Sequence, residues 1–196
     1  MGKLITGGLV GGAIVFIWGM ISWMVLPWHN LSWQKFTDAT AIEQALVANA
    51  PHKGIYMLPN ECPMDKNLSP EEKKALQEKN FEKMKKGPFA FIVMNPNGIG
   101  SSMPVCMAKG LLIQILSAFF MTLLLLKSRI ESYGGSVIFT VLFALAAGIV
   151  CYLPSWNWWG FPTMYTLVEM ADLLAAWFLA GLILAKITSK QVKVQA

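Results

Sequence analysis

Glu169 and Asp172 stand one helical turn apart inside an apolar run that reaches from Pro162 to Ile187. At that spacing both side chains leave nearly the same face of a helix. If the helix starts near Pro162, Glu169 lies about 10 Å inside it, at ~1.5 Å per residue. A carboxylate at mid-bilayer costs on the order of 2.5–3.5 kcal/mol, so such groups face a bundle interior or a water-filled cavity and often mark ion or proton paths. The chemistry available to the pair is proton uptake and release, or cation binding. The plainer alternative is a polar clamp between helices, or contact with a subunit that supplies a cation. Lys109 and Gln114, in the second apolar run, are the expected partners within the chain.

Sulfur and imidazole form a second set. Cys62 with Met64, and Met103 with Cys106 and Met107, are soft ligands that His29 and His52 could join, and soft sites select Cu(I). None of the tight metal spacings is present, and methionine also fills gaps in apolar cores. An oxidising compartment favours a disulfide between Cys62 and Cys106, whereas Cys151 reads as packing within a span. No C-x-x-C pair occurs, so the usual redox signature is missing. Phosphate-binding glycine loops, H-E-x-x-H, G-x-S-x-G and haem attachment motifs are also missing. No cofactor is expected, and an enzyme has no motif support.

The elements that must position these residues are membrane spans. The chain is 55% hydrophobic and 14% charged, where a soluble domain carries about 25% charged residues. Four apolar runs are long enough to cross a bilayer: 4–26, 110–127, 136–153 (stopped by Pro154) and 162–187. Gly7, Gly8, Gly11 and Gly12 form two overlapping G-x-x-x-G pairs in the first run, and Gly19 lies further along it. Such glycines let another helix approach closely. Trp18, Trp23 and Trp28 crowd the end of that run.

Lys3, Lys127, Arg129, Lys186, Lys190 and Lys193 fall on one side of a four-span topology, which makes both termini cytoplasmic. Trp156, Trp158 and Trp159 then belong to an aromatic belt at the opposite interface. The net charge of +5 gathers beside the spans, so nucleic acid is not an expected partner.

Residues 28–109 are expected outside the cytoplasm as a small α+β domain. Thr40-Ala41-Ile42-Glu43 reads as a capping box, and Gly54 to Leu58 as a strand. Ser69-Pro70-Glu71-Glu72 opens a second helix that ends at Gly87-Pro88, and Phe89 to Met94 is a second strand. Residues 188–196 form a cytoplasmic tail.

The fold class is therefore membrane all-α, a four-transmembrane-helix bundle with a small extracytoplasmic α+β domain between helices 1 and 2. A bacterial inner membrane fits the topology. The expected partners are the lipid bilayer and other membrane subunits or a second copy. The leading functional expectation is a non-enzymatic accessory or structural subunit docking through the external domain, with Gly8, Gly12 and Gly19 facing another helix. A small transporter or proton-coupled protein using Glu169 and Asp172 is second, and copper handling is third.

Overall fold

Four helices are long and apolar enough to cross a membrane: α1 (Gly2–Met24), α4 (Met103–Lys127), α5 (Tyr133–Trp159) and α6 (Thr163–Thr188). The computed structural model describes residues 1–60, 68–128 and 130–189. Two compact units result, one made of Met1–Gln34 and Ser101–Ala196, the other of Lys35–Gly100.

In the helical unit α1 packs against both α4 and α6, and α6 packs against α5. Chain order is thus not spatial order, because α4 and α5, adjacent in sequence, barely touch. The core is built of small residues: Ala118, Ala144, Ala176, Ala180 and Ala185 surround Met121, Leu125 and Leu184. Large side chains such as Leu112, Leu116 and Phe120 on α4, and Ile138, Leu142 and Val150 on α5, point outward. Small residues inside and large apolar ones outside suit a bundle that lipid surrounds, since water would oppose that surface.

The glycines of α1 are occupied within the chain. A Cβ on Gly12 would lie 2.6 Å from the Ile115 backbone nitrogen of α4, and one on Gly8 3.3 Å from the Phe119 Cα. Gly7 faces Thr122, and Gly11 faces Ala118 and Leu184. Gly19 differs, since a Cβ there would meet nothing within 4 Å. Two further close approaches join α5 to α6, Gly148 against Leu173 and Gly181 against Thr140.

Helix bounds depart from the expectations at two points. Pro154 was expected to stop the third span, yet α5 continues to Trp159. Proline removes one backbone donor, but leaving the helix in an apolar surrounding would open several more groups with no water to receive them. Gly160, at φ 65°, supplies the left-handed residue that ends it. Secondly, the run marked from 110, for which an earlier start near Pro104 capped by Ser102 was the alternative, takes that earlier start: α4 begins at Met103 after Ser102, so Lys109 falls within its second turn.

The second unit contains α2 (Ala39–Asn49), β1 (Gly54–Leu58), α3 (Pro70–Lys86) and β2 (Ala90–Met94). The strands pair antiparallel with Tyr56 opposite Ile92. The cap of α2 is Asp38, not the expected Thr40: its carboxylate accepts from the Ala41 N–H at 2.9 Å. Starting the helix two residues earlier adds about half a turn of helix behind an equally competent capping side chain.

The helix start expected at Ser69-Pro70-Glu71-Glu72 forms as α3, and it carries the capping box that was expected at Thr40 instead. Ser69 Oγ accepts from the Glu72 N–H at 3.2 Å, and Glu72 Oε2 accepts from the Ser69 N–H at 2.8 Å. The bond from the Ser69 backbone, then that with its side chain, lowers the Glu72 pKa below its ordinary value. A carboxylate whose pKa is depressed on folding contributes stability above its unfolded pKa and loses it as pH falls through the folded value. The first turn of α3 should therefore exchange its amide hydrogens faster below the ordinary glutamate range. Ser69→Ala should produce the same fraying at neutral pH, by about 1 kcal/mol, read by hydrogen exchange of the α3 amides.

Candidate functional site

Most buried hydroxyls in the bundle are satisfied by their own helix. Thr122 donates to the Ala118 carbonyl at 2.7 Å and Thr140 to the Ser136 carbonyl at 3.0 Å. Ser22, near the end of α1 and completely buried, has different partners. It receives the Trp28 indole N–H at 3.0 Å and lies 2.9 Å from His29 Nε2.

Local chain geometry brings His29 there. Pro27 lacks an N–H and cannot extend α1. The chain turns instead through a short 3₁₀ segment, Trp28–Leu31. Ser32 ties this turn with two bonds to the His29 carbonyl, from its N–H at 3.3 Å and its hydroxyl at 3.1 Å. The turn folds the imidazole back under the last turns of α1, where only 4% of its surface stays exposed. Trp23 stacks on the ring, with centroids 3.8 Å apart and planes 14° from parallel, and Trp28 meets it edge-on at 5.8 Å.

The other side of the imidazole faces α6. His29 Nδ1 is 3.7 Å from Glu169 Oε1, and Nε2 is 3.9 Å from Asp172 Oδ2. Glu169 lies six residues beyond Thr163, about 9 Å along α6 at ~1.5 Å per residue. Asp172 also accepts the Trp18 indole N–H at 2.6 Å. Glu169 Oε1 is sealed from solvent and has no hydrogen-bond partner.

Hydrogen-bond direction allows two arrangements. An indole N–H only donates, so the Ser22 hydroxyl accepts from Trp28 and then either donates to His29 Nε2 or accepts from it. The first places the proton of a neutral imidazole on Nδ1. In that arrangement the proton faces the unpartnered oxygen of Glu169. The order hydroxyl, imidazole, carboxylate is also that of a serine hydrolase. Ser22, however, is fully enclosed and outside the lining of the adjoining cavity, so a substrate carbonyl has no route to it.

A cavity of about 210 Å³ adjoins the cluster, and its lining includes Gln114, Tyr152, Glu169, Asp172, Trp23 and Trp177. Gln114 thus shares a cavity wall with both carboxylates. Lys109 does not: it is exposed, and among the described residues no ion pair joins it to Glu169 or Asp172. The counter-group to the carboxylates is His29, which the sulfur-and-imidazole reading had placed with the metal ligands. A polar serine one helical turn after Trp18 in an apolar run, followed by Pro-Trp-His, was the available sequence signal.

Among the described residues the sulfur atoms gather only as methionines, with Met20, Met24, Met103 and Met107 around one apolar groove that Phe16, Gly19 and Trp23 also line. His52 lies in the other unit, where its backbone meets the Tyr56 hydroxyl. Among the described residues no group of three His, Cys, Asp or Glu is placed to hold a metal. Cys106 and Cys151 are exposed free thiols. The expected Cys62–Cys106 bridge is accordingly not supported: Cys106 sits unbridged on the open first turn of α4. Cys62 and Met64 lie outside the described residues.

In comparisons with known proteins, the chain matches no family model, no curated protein and no solved structure.

Proposed function

We propose that this chain is a multi-pass membrane protein that takes up and releases protons at a His29–Glu169–Asp172 cluster, as a small transporter or another proton-coupled device. The observation that carries this reading is the sealed, unpartnered Glu169 Oε1, 3.7 Å from His29 Nδ1. That distance lies beyond a hydrogen bond, which needs about 2.7–3.2 Å, so a small movement of either side chain makes or breaks it. Imidazole is suited to such exchange because either ring nitrogen can donate or accept a proton. In this reading a proton taken up at Nε2 makes His29 an imidazolium, which releases its Nδ1 proton to Glu169 and returns to neutral imidazole, while Ser22 holds Nε2 and the Trp18 N–H steadies Asp172. The cluster lies at the outer end of the bundle. Both termini are cytoplasmic, the Lys35–Gly100 unit is an extracytoplasmic α+β domain, and the membrane is a bacterial inner membrane.

The test is pH-difference infrared spectroscopy of the full-length protein in lipid nanodiscs, between about pH 5 and 8. A protonated-carboxyl band should appear and should be lost or shifted in Glu169→Gln and Asp172→Asn. Spectra without such a band, or with one unchanged in both variants, would make the cluster a structural clamp.

A second reading, an accessory subunit of a larger membrane assembly, is favoured by the Lys35–Gly100 unit. Its helices α2 and α3 bury no side chain completely, which suits an element that docks elsewhere. The close-packing glycines support it less, because Gly7, Gly8, Gly11 and Gly12 already face helices of the same chain. Purification from native membranes in mild detergent should then bring down a stoichiometric partner, and a lone chain would remove this reading.

A further inference from the structure

We propose that the cavity beside the cluster binds a small organic ammonium cation. This rests on reading the cluster as a working site and names what it accepts besides protons. Two carboxylates, Glu169 and Asp172, border the cavity, and among the described residues no lysine or arginine lines it. The one basic group at hand, His29, contributes at most a single positive charge. When both carboxylates are ionised, at least one negative charge has no match among the described residues. Glu169 Oε1, sealed and without a hydrogen-bond partner, is the local sign of that mismatch.

The cavity's composition selects the cation. Carboxylates only accept, and Gln114 and Tyr152 add an amide oxygen and a hydroxyl, so the polar wall can receive several N–H donors. Trp23 and Trp177 bound the same space, and indole faces attract cations. Val15 and Leu173 supply apolar contact for a short alkyl chain. A volume of about 210 Å³ is that of several waters at about 30 Å³ each, enough for a short alkylammonium. A metal ion fits less well, since the described residues hold no cluster of three suitable ligands and hard cations take about six oxygens or more.

The experiment is titration of the full-length protein in lipid nanodiscs with propylammonium chloride, followed by calorimetry and tryptophan fluorescence. Propanol, sodium propionate and potassium chloride are the controls. Saturable binding is expected for propylammonium alone. Glu169→Gln and Asp172→Asn should each weaken it at least about tenfold, the loss of a charged hydrogen bond. Gln114→Leu, which keeps both carboxylates, should weaken it roughly fivefold and serves if the acidic variants fail to fold. Absence of saturable binding, an equal response to propanol, or unchanged affinity in the folded variants would overturn the proposal. If the infrared proton signal survives while propylammonium does not bind, this inference alone falls. Loss of both would remove the proton-exchange reading as well.

Discussion

Gly12→Val is expected to destabilise the helical unit by about 3 kcal/mol, at the upper end for overpacked sites. The reason is what lies opposite. A Cβ at Gly12 meets the Ile115 backbone nitrogen at 2.6 Å, and backbone cannot rotate aside as a side chain can. Relief requires α1 and α4 to separate, which would also loosen Gly8 from Phe119 and Gly11 from Ala118. Gly19→Ala is the matched control in the same helix. Nothing lies within 4 Å of its new methyl, and alanine favours a helix over glycine by about 1 kcal/mol. Denaturant unfolding of both variants in detergent micelles, followed by circular dichroism, separates the cases. Equal stability of Gly12→Val and the parent chain would mean that the α1–α4 contact is not this close. Because α1 carries Trp18 and Ser22, Gly12→Val should also disturb the polar cluster more than its distance along the helix suggests.

His29→Ala should cost about 3 kcal/mol by a different route. The substitution strands the Ser22 hydroxyl without its acceptor, and a buried unsatisfied group costs about 1–3 kcal/mol. Loss of the Trp23 stack adds about 0.5–1.5 kcal/mol. It also removes the only basic group placed against Glu169 and Asp172 among the described ion pairs. Replacing Glu169 by Gln in the same chain should therefore recover part of the loss. In a double-mutant cycle the two sites should couple by about 1 kcal/mol, within the usual range for residues in contact. Additivity to within about 0.3–0.5 kcal/mol would show that imidazole and carboxylate do not sense each other. Cavity-lining Gln114 touches neither ring nitrogen in any described hydrogen bond, so Gln114→Leu should leave the cycle unchanged.

Much of the chain was legible before any coordinates. Hydropathy marks the four long helices because spanning a bilayer needs an unbroken apolar length, which few other structures require. Ser69-Pro70-Glu71-Glu72 declared the start of α3, and Gly87-Pro88 its end, because caps are satisfied by neighbours in sequence. Local chemistry was less decisive where two neighbours could serve equally, and Asp38 rather than Thr40 caps α2. Pro154 misled because the cost of leaving a helix depends on the surrounding medium, which the residue itself does not report.

Glu169 and Asp172 stood out in the sequence because a carboxylate in an apolar run is costly wherever the run folds. Their partner did not stand out. Lys109 had the right charge and the right end of its helix, but it is exposed on α4. His29 reaches the pair because a proline-ended helix turns back on itself and because α1 packs along α6 far more than α4 does. Sequence by itself thus determined the four spans, the capped helix of the second unit and the presence of a costly acidic pair, since each follows from solvation or from bonds between near neighbours. Only the tertiary structure decided that Gly12 meets Ile115, that Ser22 and the tryptophans serve His29, and that His29 faces Glu169. Those contacts depend on which helices lie side by side, and that choice is made by packing among small residues spread over α1, α4, α5 and α6, beyond the reach of any local pattern.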